Sequence, residues 1–213
     1  YRRAMEESSS MGMTSVSTRM PKDSLAAYQM LEKQNKMHFR IGYGVIEAFG
    51  NVDVEKTNLK DYGKQINSGT DKIWITGVGP TAIDGASSQQ CTDQKRNGTY
   101  TPIDGWYPMG QCHTDIEYKG AARRAAPIQA NYFAEWIMAS GRDGVRFANT
   151  HTAGDRATGN MLTFVEQLQK QYGPDSTKNW ALDHCGMINP KDFPRLAKLK
   201  VTVSCYVQMS VNG

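Results

Sequence analysis

The chain has 213 residues, 39% of them hydrophobic and 22% charged, which is the balance of a soluble globular protein with enough length for one sizeable core. Twenty-five basic residues face 21 acidic ones for a formal charge of +4, and the surplus is scattered. Arg2-Arg3, Lys95-Arg96 and Arg123-Arg124 are its only tight groups and carry no aromatic platform, which argues against nucleic acid as a partner. No apolar run approaches the roughly 20 residues that span a bilayer, which excludes a transmembrane helix here and argues against a membrane partner.

Along the chain, strand and helix patterns alternate. The first residues read as a helix already under way, and the start at Tyr1-Arg-Arg-Ala, without an initiator Met, leaves open an upstream leader. Met13 to Thr18 is β-rich, and Asp23 or Ser24 is expected to cap a helix reaching Asn35. Met37 to Ile46 reads as a second strand, Leu59 to Ile66 as a helix, and Lys72 to Val78 as a third strand.

The rhythm then breaks. From residue 79 to 126 the chain is rich in Gly, Pro, Thr, Asp and Gln, and so long a loop predicts either an inserted lid that carries Trp106, Tyr107 and His113 over the mouth of the fold or a surface insertion with no role. Cys91 and Cys112 bracket part of this stretch. Their pairing would imply an oxidising compartment, so cytoplasmic and periplasmic or secreted locations both stay open. The sequon Asn97-Gly-Thr99 sits in the same loop, and such triplets also arise by chance. Cys185 and Cys205 read as buried free thiols in apolar strands.

Alternation resumes with a helix from Ile128 to Ser140, started by Pro127 and stopped by Gly141. A strand over Val145–Thr150 follows, then a helix from Arg156 to Tyr172 closed by Gly173-Pro174. A strand over Asn179–His184, a short helix from Pro190 to Leu199 and a last strand over Val201–Val207 complete the order. Six strands alternating with helices predict an α/β fold with a parallel sheet. Nothing matches GxGxxG or GxxxxGK[ST], which favours part of a (β/α)8 TIM barrel over a nucleotide-binding fold.

His151 and His184 each stand at the C-terminal end of an apolar run, one strand–helix unit apart. In parallel α/β folds neighbouring strand ends converge on one mouth, so two imidazoles placed there suit a shared divalent metal; alone, each would read as a satisfied rim histidine. Asp155 is placed either to cap the next helix or to orient a ligand at the mouth, and is the candidate catalytic carboxylate. Arg156 is a candidate for a substrate carboxylate or for a structural ion pair, and Trp106 and His113 are further substrate-binding candidates. Strand alternation assigns Asp183 to the side opposite the metal, and Cys205 to packing.

Four stretches, in order along nearly the whole chain, carry a resemblance to amidohydrolase family 3 of the metal-dependent amidohydrolase superfamily, the branch that includes N-substituted formamide deformylases. Gly12-Met-Thr-Ser-Val16 resembles the family's GxTSV strand, and His151-Thr-Ala-Gly-Asp-Arg-Ala157 its HxxGDRA segment. Leu182-Asp-His184 is similar to its strand ending in (E/D)H, and Asn189-Pro-Lys-Asp-Phe-Pro-Arg-Leu196 to its PxDxxR helix.

The resemblance implies a (β/α)8 barrel of which residues 1–213 hold about strands two to seven, as a partial domain with the 79–126 insertion. It implies hydrolysis of a small amide-type substrate at a C–N bond other than a peptide bond, with a divalent metal, zinc foremost, on His151 and His184. The family's first-strand HxH and eighth-strand Asp have no counterpart here, and Lys72 enters the strand where relatives place a bridging lysine, which argues against two metals. Asp84-Gly85 resembles the family's DG after that strand. The expectation is an active parent chain and a segment with low or no activity by itself, with an inactive structural or binding subunit as the alternative and a homo-oligomer left open.

Overall fold

The structure is a computed structural model that describes residues 1–47, 59–80, 83–84, 91–92 and 132–205. Trp106, Tyr107, His113 and most of the 79–126 loop lie outside the described residues.

Helix α1 (Arg2–Ser10) buries Met5, and Gly12, at φ +90, turns the chain into β1 (Ser15–Met20). Helix α2 (Lys22–Lys33) starts after Pro21, whose extended backbone occupies the cap position. No side chain caps it, so the expected Asp23 or Ser24 cap is replaced by Asp23 within the first turn, where the helix dipole favours its charge. Strand β2 (Arg40–Glu47), helix α3 (Leu59–Gln65) and strand β3 (Ile73–Pro80) follow, each within three residues of its expected start.

Helix α4 (Tyr132–Arg142) passes through Gly141, which was expected to stop it. A Cβ there would meet Leu168 at 2.5 Å, so the glycine serves close packing between helices. The next strand also differs from its expected bounds. Phe147 makes an isolated parallel bridge to Val78, Asn149 turns left-handed at φ +59, and β4 is confined to Thr150–Thr152. Asn tolerates that conformation better than most residues, which is how the strand breaks without a glycine. Helix α5 (Asp155–Tyr172), β5 (Ala181–His184), α6 (Phe193–Leu199) and β6 (Thr202–Cys205) complete the order.

The described strands form two three-stranded sheets, β1-β2-β3 and β4-β5-β6, with every neighbouring pair parallel. The sheets meet where Val78 N–H donates to Arg146 O at 2.8 Å and Ala148 N–H donates to Val78 O at 3.1 Å. The α/β class with parallel strands is therefore present, while the described residues form no closed barrel.

A large core of Trp136, Phe147, Met161, Leu162, Trp180 and Leu182 lies mainly beneath the second sheet, and a smaller one of Met5, Met20, Ile41, Tyr43 and Ile73 serves the first. Trp180 packs on Phe147 with centroids 4.6 Å apart and donates its indole N–H to Val145 O at 3.1 Å, which satisfies the polar atom of a buried ring. Among the described residues no helix is long and apolar enough to cross a membrane.

The PxDxxR stretch is a fastening. Asp192, 1% exposed, accepts from Arg195 Nη1 at 2.8 Å, and Arg195 forks onto both oxygens of Glu166 on α5 at 3.0 Å each and reaches Thr163 Oγ1 at 3.1 Å. These bonds hold Glu166 below its usual range and raise Arg195, as expected of a bidentate pair.

Candidate metal centre

In the ladder between β4 and β5, His151 is the register partner of Asp183, and Thr152 that of His184. Parallel partners point to one face, so His151 and Asp183 share a side. Perfect alternation would send His184 to the other. It does not go there, because the backbone at His184 turns left-handed (φ +79) and Cys185 follows at φ +32. The turn swings the His184 ring back to His151, with centroids 4.3 Å apart and planes inclined at 42°. Two non-glycine residues in succession at positive φ form a strained corner, and the strain aims the ring.

Asp84 sets the path of the chain just beyond His151. It is fully buried, its Oδ1 accepting from Ala153 N–H at 2.7 Å and its Oδ2 from Gly154 N–H at 2.7 Å and Cys91 N–H at 3.0 Å. Three amide donors compensate the carboxylate's desolvation. His151 Nδ1 stands 3.5 Å from Asp84 Oδ1, outside hydrogen-bond geometry, and is a buried ring nitrogen with no hydrogen-bond partner among the described residues.

Gly154 is required at its place, since a Cβ there would run into the Cys91 carbonyl. It is also the N-cap of α5, with no side-chain cap bond, so the reading of Asp155 as the cap is corrected. Asp155 is the first helical residue, 3% exposed, where its charge favours the dipole. Arg156, next along, is half-buried. Cys91 is disulfide-bonded; Cys112, its expected partner, lies outside the described residues.

A cavity of about 530 Å³ opens between the sheets, lined by Ser17 and Arg19 of β1 and by Asn149, Asp183, His184 and Cys205 among others. Asp183 therefore lines the same cavity as His184, which corrects its assignment to the opposite side; the left-handed corner at His184 is the reason. Asn149 Nδ2 donates to Ser17 Oγ at 2.9 Å and ties the two sheets across this space.

Burial raises the Asp183 carboxyl above the usual range, against the lowering effect of His184, of a hydrogen bond from Asn149 and of the Arg19 charge. Burial lowers His184, and the neighbouring His151 lowers it further, which favours the neutral imidazole a metal would need. Arg19 is lowered by burial, with the Asp183 charge opposing. Cys205 is exposed, contrary to the expected buried thiol, while Cys185 is buried and pushed up to about 12, chiefly by desolvation. Arg19, Asn149, Asp84 and Asp183 are the site residues that sequence patterns missed or misplaced. Only the Asp84-Gly85 pair had left a signal.

No protein-family model matches this sequence, and no curated protein matches it. Two solved structures are similar to it. One is an uncharacterized metal-dependent hydrolase from Pyrococcus horikoshii OT3, with TM-score 0.63 and 18% identity over 96% of this chain and 35% of that chain. The other is an uncharacterized metal-dependent hydrolase from Pyrococcus furiosus, with TM-score 0.61 and 17% identity over 96% of this chain and 36% of that chain. The chain thus spans about a third of the length of these proteins, and at such identity the likeness is one of fold.

Proposed function

We propose that this chain carries the His151–His184 part of a divalent-metal centre in a hydrolase of amide-type C–N bonds, on a (β/α)8 barrel wall of the amidohydrolase type. The observation that supports it is the pair of rings 4.3 Å apart at the ends of adjacent parallel strands. Rings that share one ion, with each nitrogen about 2.0–2.1 Å from it, have centroids roughly 5 Å apart. The donor chemistry fits as well: two imidazoles, one with a buried nitrogen that has no hydrogen-bond partner among the described residues.

Among the described residues no group of three or more His, Cys, Asp or Glu is arranged to hold a metal; this reading takes the pair as two ligands of a larger set. Zinc, which takes two or three His with a carboxylate in many hydrolytic sites, is the ion proposed. When bound, such an ion supplies Lewis acidity to a scissile carbonyl and to water.

The chain's own residues do the positioning. Asp84 pins the Ala153-Gly154 amides and so holds the end of β4 that carries His151. The left-handed corner aims His184, whose burial keeps its lone pair available. Asp155, buried at the head of α5, acts in this reading as a positioning residue, and Arg156 remains the substrate-side candidate beside it.

The test is hydrolysis by the zinc-loaded chain of a panel containing an N-substituted formamide, a cyclic amide and a carbamate, with metal content measured alongside. The expected result is one zinc per chain and slow, chelator-sensitive turnover, both lost in His151→Asn and His184→Asn. Zinc binding without turnover favours a non-catalytic subunit; turnover unmoved by either substitution overturns the reading.

A further inference from the structure

Asp84 and Gly154, which fix the exit from β4, both lean on one further residue that the metal pair does not use. Cys91 is 1% exposed and belongs to the larger core. Its N–H donates to Asp84 Oδ2 at 3.0 Å, the same carboxylate oxygen that takes the Gly154 amide. Its carbonyl accepts from Ala157 N–H at 3.2 Å, in the first turn of α5, and fills the space a Gly154 side chain would need. Cys91 thus reaches the His151 exit through the buried acid, the glycine and the head of the helix.

The same residue is covalently tied, since its sulfur is in a disulfide. Neither of its two backbone bonds belongs to a helix or strand ladder, and a cross-link removes chain freedom that such single bonds oppose weakly. Metal sites are sensitive to support of this kind: losing a group that orients a ligand commonly weakens affinity roughly 10–100-fold.

We propose that the Cys91 disulfide is a redox-responsive brace on His151, so that the oxidised chain holds a divalent ion at the His151–His184 pair and the reduced chain holds it more weakly. Cys91 is a positioning residue, acting on His151 through Asp84 and Gly154. Reduction takes two electrons and two protons from a dithiol. One thiolate attacks the disulfide, a mixed disulfide forms, and the second thiolate displaces it, leaving two protein thiols and a cyclic disulfide. The inference rests on the metal reading for the ion, while the coupling of Cys91 to the β4–α5 corner requires no metal.

The test compares the oxidised chain with the same chain treated with a dithiol and freed of it by anaerobic gel filtration. Zinc titration and amide hydrogen exchange of the metal-free chain are the two readouts. The expected result is zinc held about tenfold more weakly after reduction. Exchange at the Gly154 and Ala157 amides should quicken several-fold, with the Ile41 amide, bonded to Lys72 O beside the first sheet, unmoved. Reoxidation by a low-molecular-weight disulfide should restore both. Cys91→Ala should match the reduced chain and ignore the dithiol, because Cys185 and Cys205 are free and offer it nothing to reduce.

Zinc affinity equal or higher after reduction overturns the brace and leaves the metal centre standing. Exchange that quickens as much at Ile41 as at the corner also overturns it, since that is general loosening. Corner exchange that responds to reduction in a chain that binds no zinc in either state overturns the metal reading and, with it, the proposal. Reduction and reoxidation read the unmutated chain, so a variant that fails to fold does not decide the matter.

Discussion

Asp84 holds Gly154 by its backbone: the carboxylate takes the Gly154 amide at 2.7 Å, three residues past His151, while the Cys91 carbonyl occupies the space a Gly154 side chain would need. One buried acid and one glycine thus fix how the chain leaves β4 and enters α5. The direction of His151 follows from that exit.

Asp84→Asn should destabilise the fold by about 2–3 kcal/mol, because an amide group would turn a donor toward backbone donors and forfeit charge-assisted bonds. Urea denaturation at neutral pH measures it. A loss below about 0.5 kcal/mol, the usual scale of a harmless surface change, would mean the three amide bonds contribute little.

Gly154→Ala tests the same junction from the other side. The new Cβ meets backbone, which yields less readily than a side chain, so a loss of at least about 2 kcal/mol is expected. Thermal unfolding of the variant reads it, and an unchanged midpoint contradicts the packing described here.

Much of the architecture was legible in the residues, and the exceptions have local causes. Five of the six described strands, and the order of all six, follow from apolar runs separated by helical patterns, since burial on both faces of a parallel sheet leaves that trace; β4 falls at Thr150–Thr152, at the far end of the run expected to form it. Gly141 was misread because a glycine that admits Leu168 is written the same way as one that ends a helix. Asp183 was misplaced because alternation assumes extended backbone, and nothing in Leu182-Asp-His-Cys announces positive φ at His184 and Cys185. Asp84 and Arg19 act across 70 and more residues of separation, or from another sheet, beyond the reach of any local pattern.

Arg195→Met should cost about 2–4 kcal/mol, since it strands Asp192, 1% exposed and with one oxygen that has no partner among the described residues. Zinc uptake by the folded fraction should stay unchanged, because the network joins α5 to α6 and leaves the two histidines alone. Denaturation and metal analysis on one preparation separate the two effects.

Glu166 gives a pH dependence with a definite sign. Arg195 holds its carboxyl below the usual range, so the pair's contribution is complete above the unfolded value of about 4.3 and is lost as pH falls through the lower folded value. Glu166 is partly exposed, so the contribution is below about 1 kcal/mol. Stability compared at neutral and strongly acidic pH should fall less in Glu166→Gln than in the parent; equal losses contradict the assignment.

The central claim is that His151 and His184 act on one ion together. Zinc titrated into the chain with ¹⁵N-labelled histidines tests it most directly. The account predicts that one ring nitrogen of each residue shifts in step and saturates at one equivalent, with His38 and the remaining histidine unmoved. Shifts at only one of the pair, or at neither, contradict it.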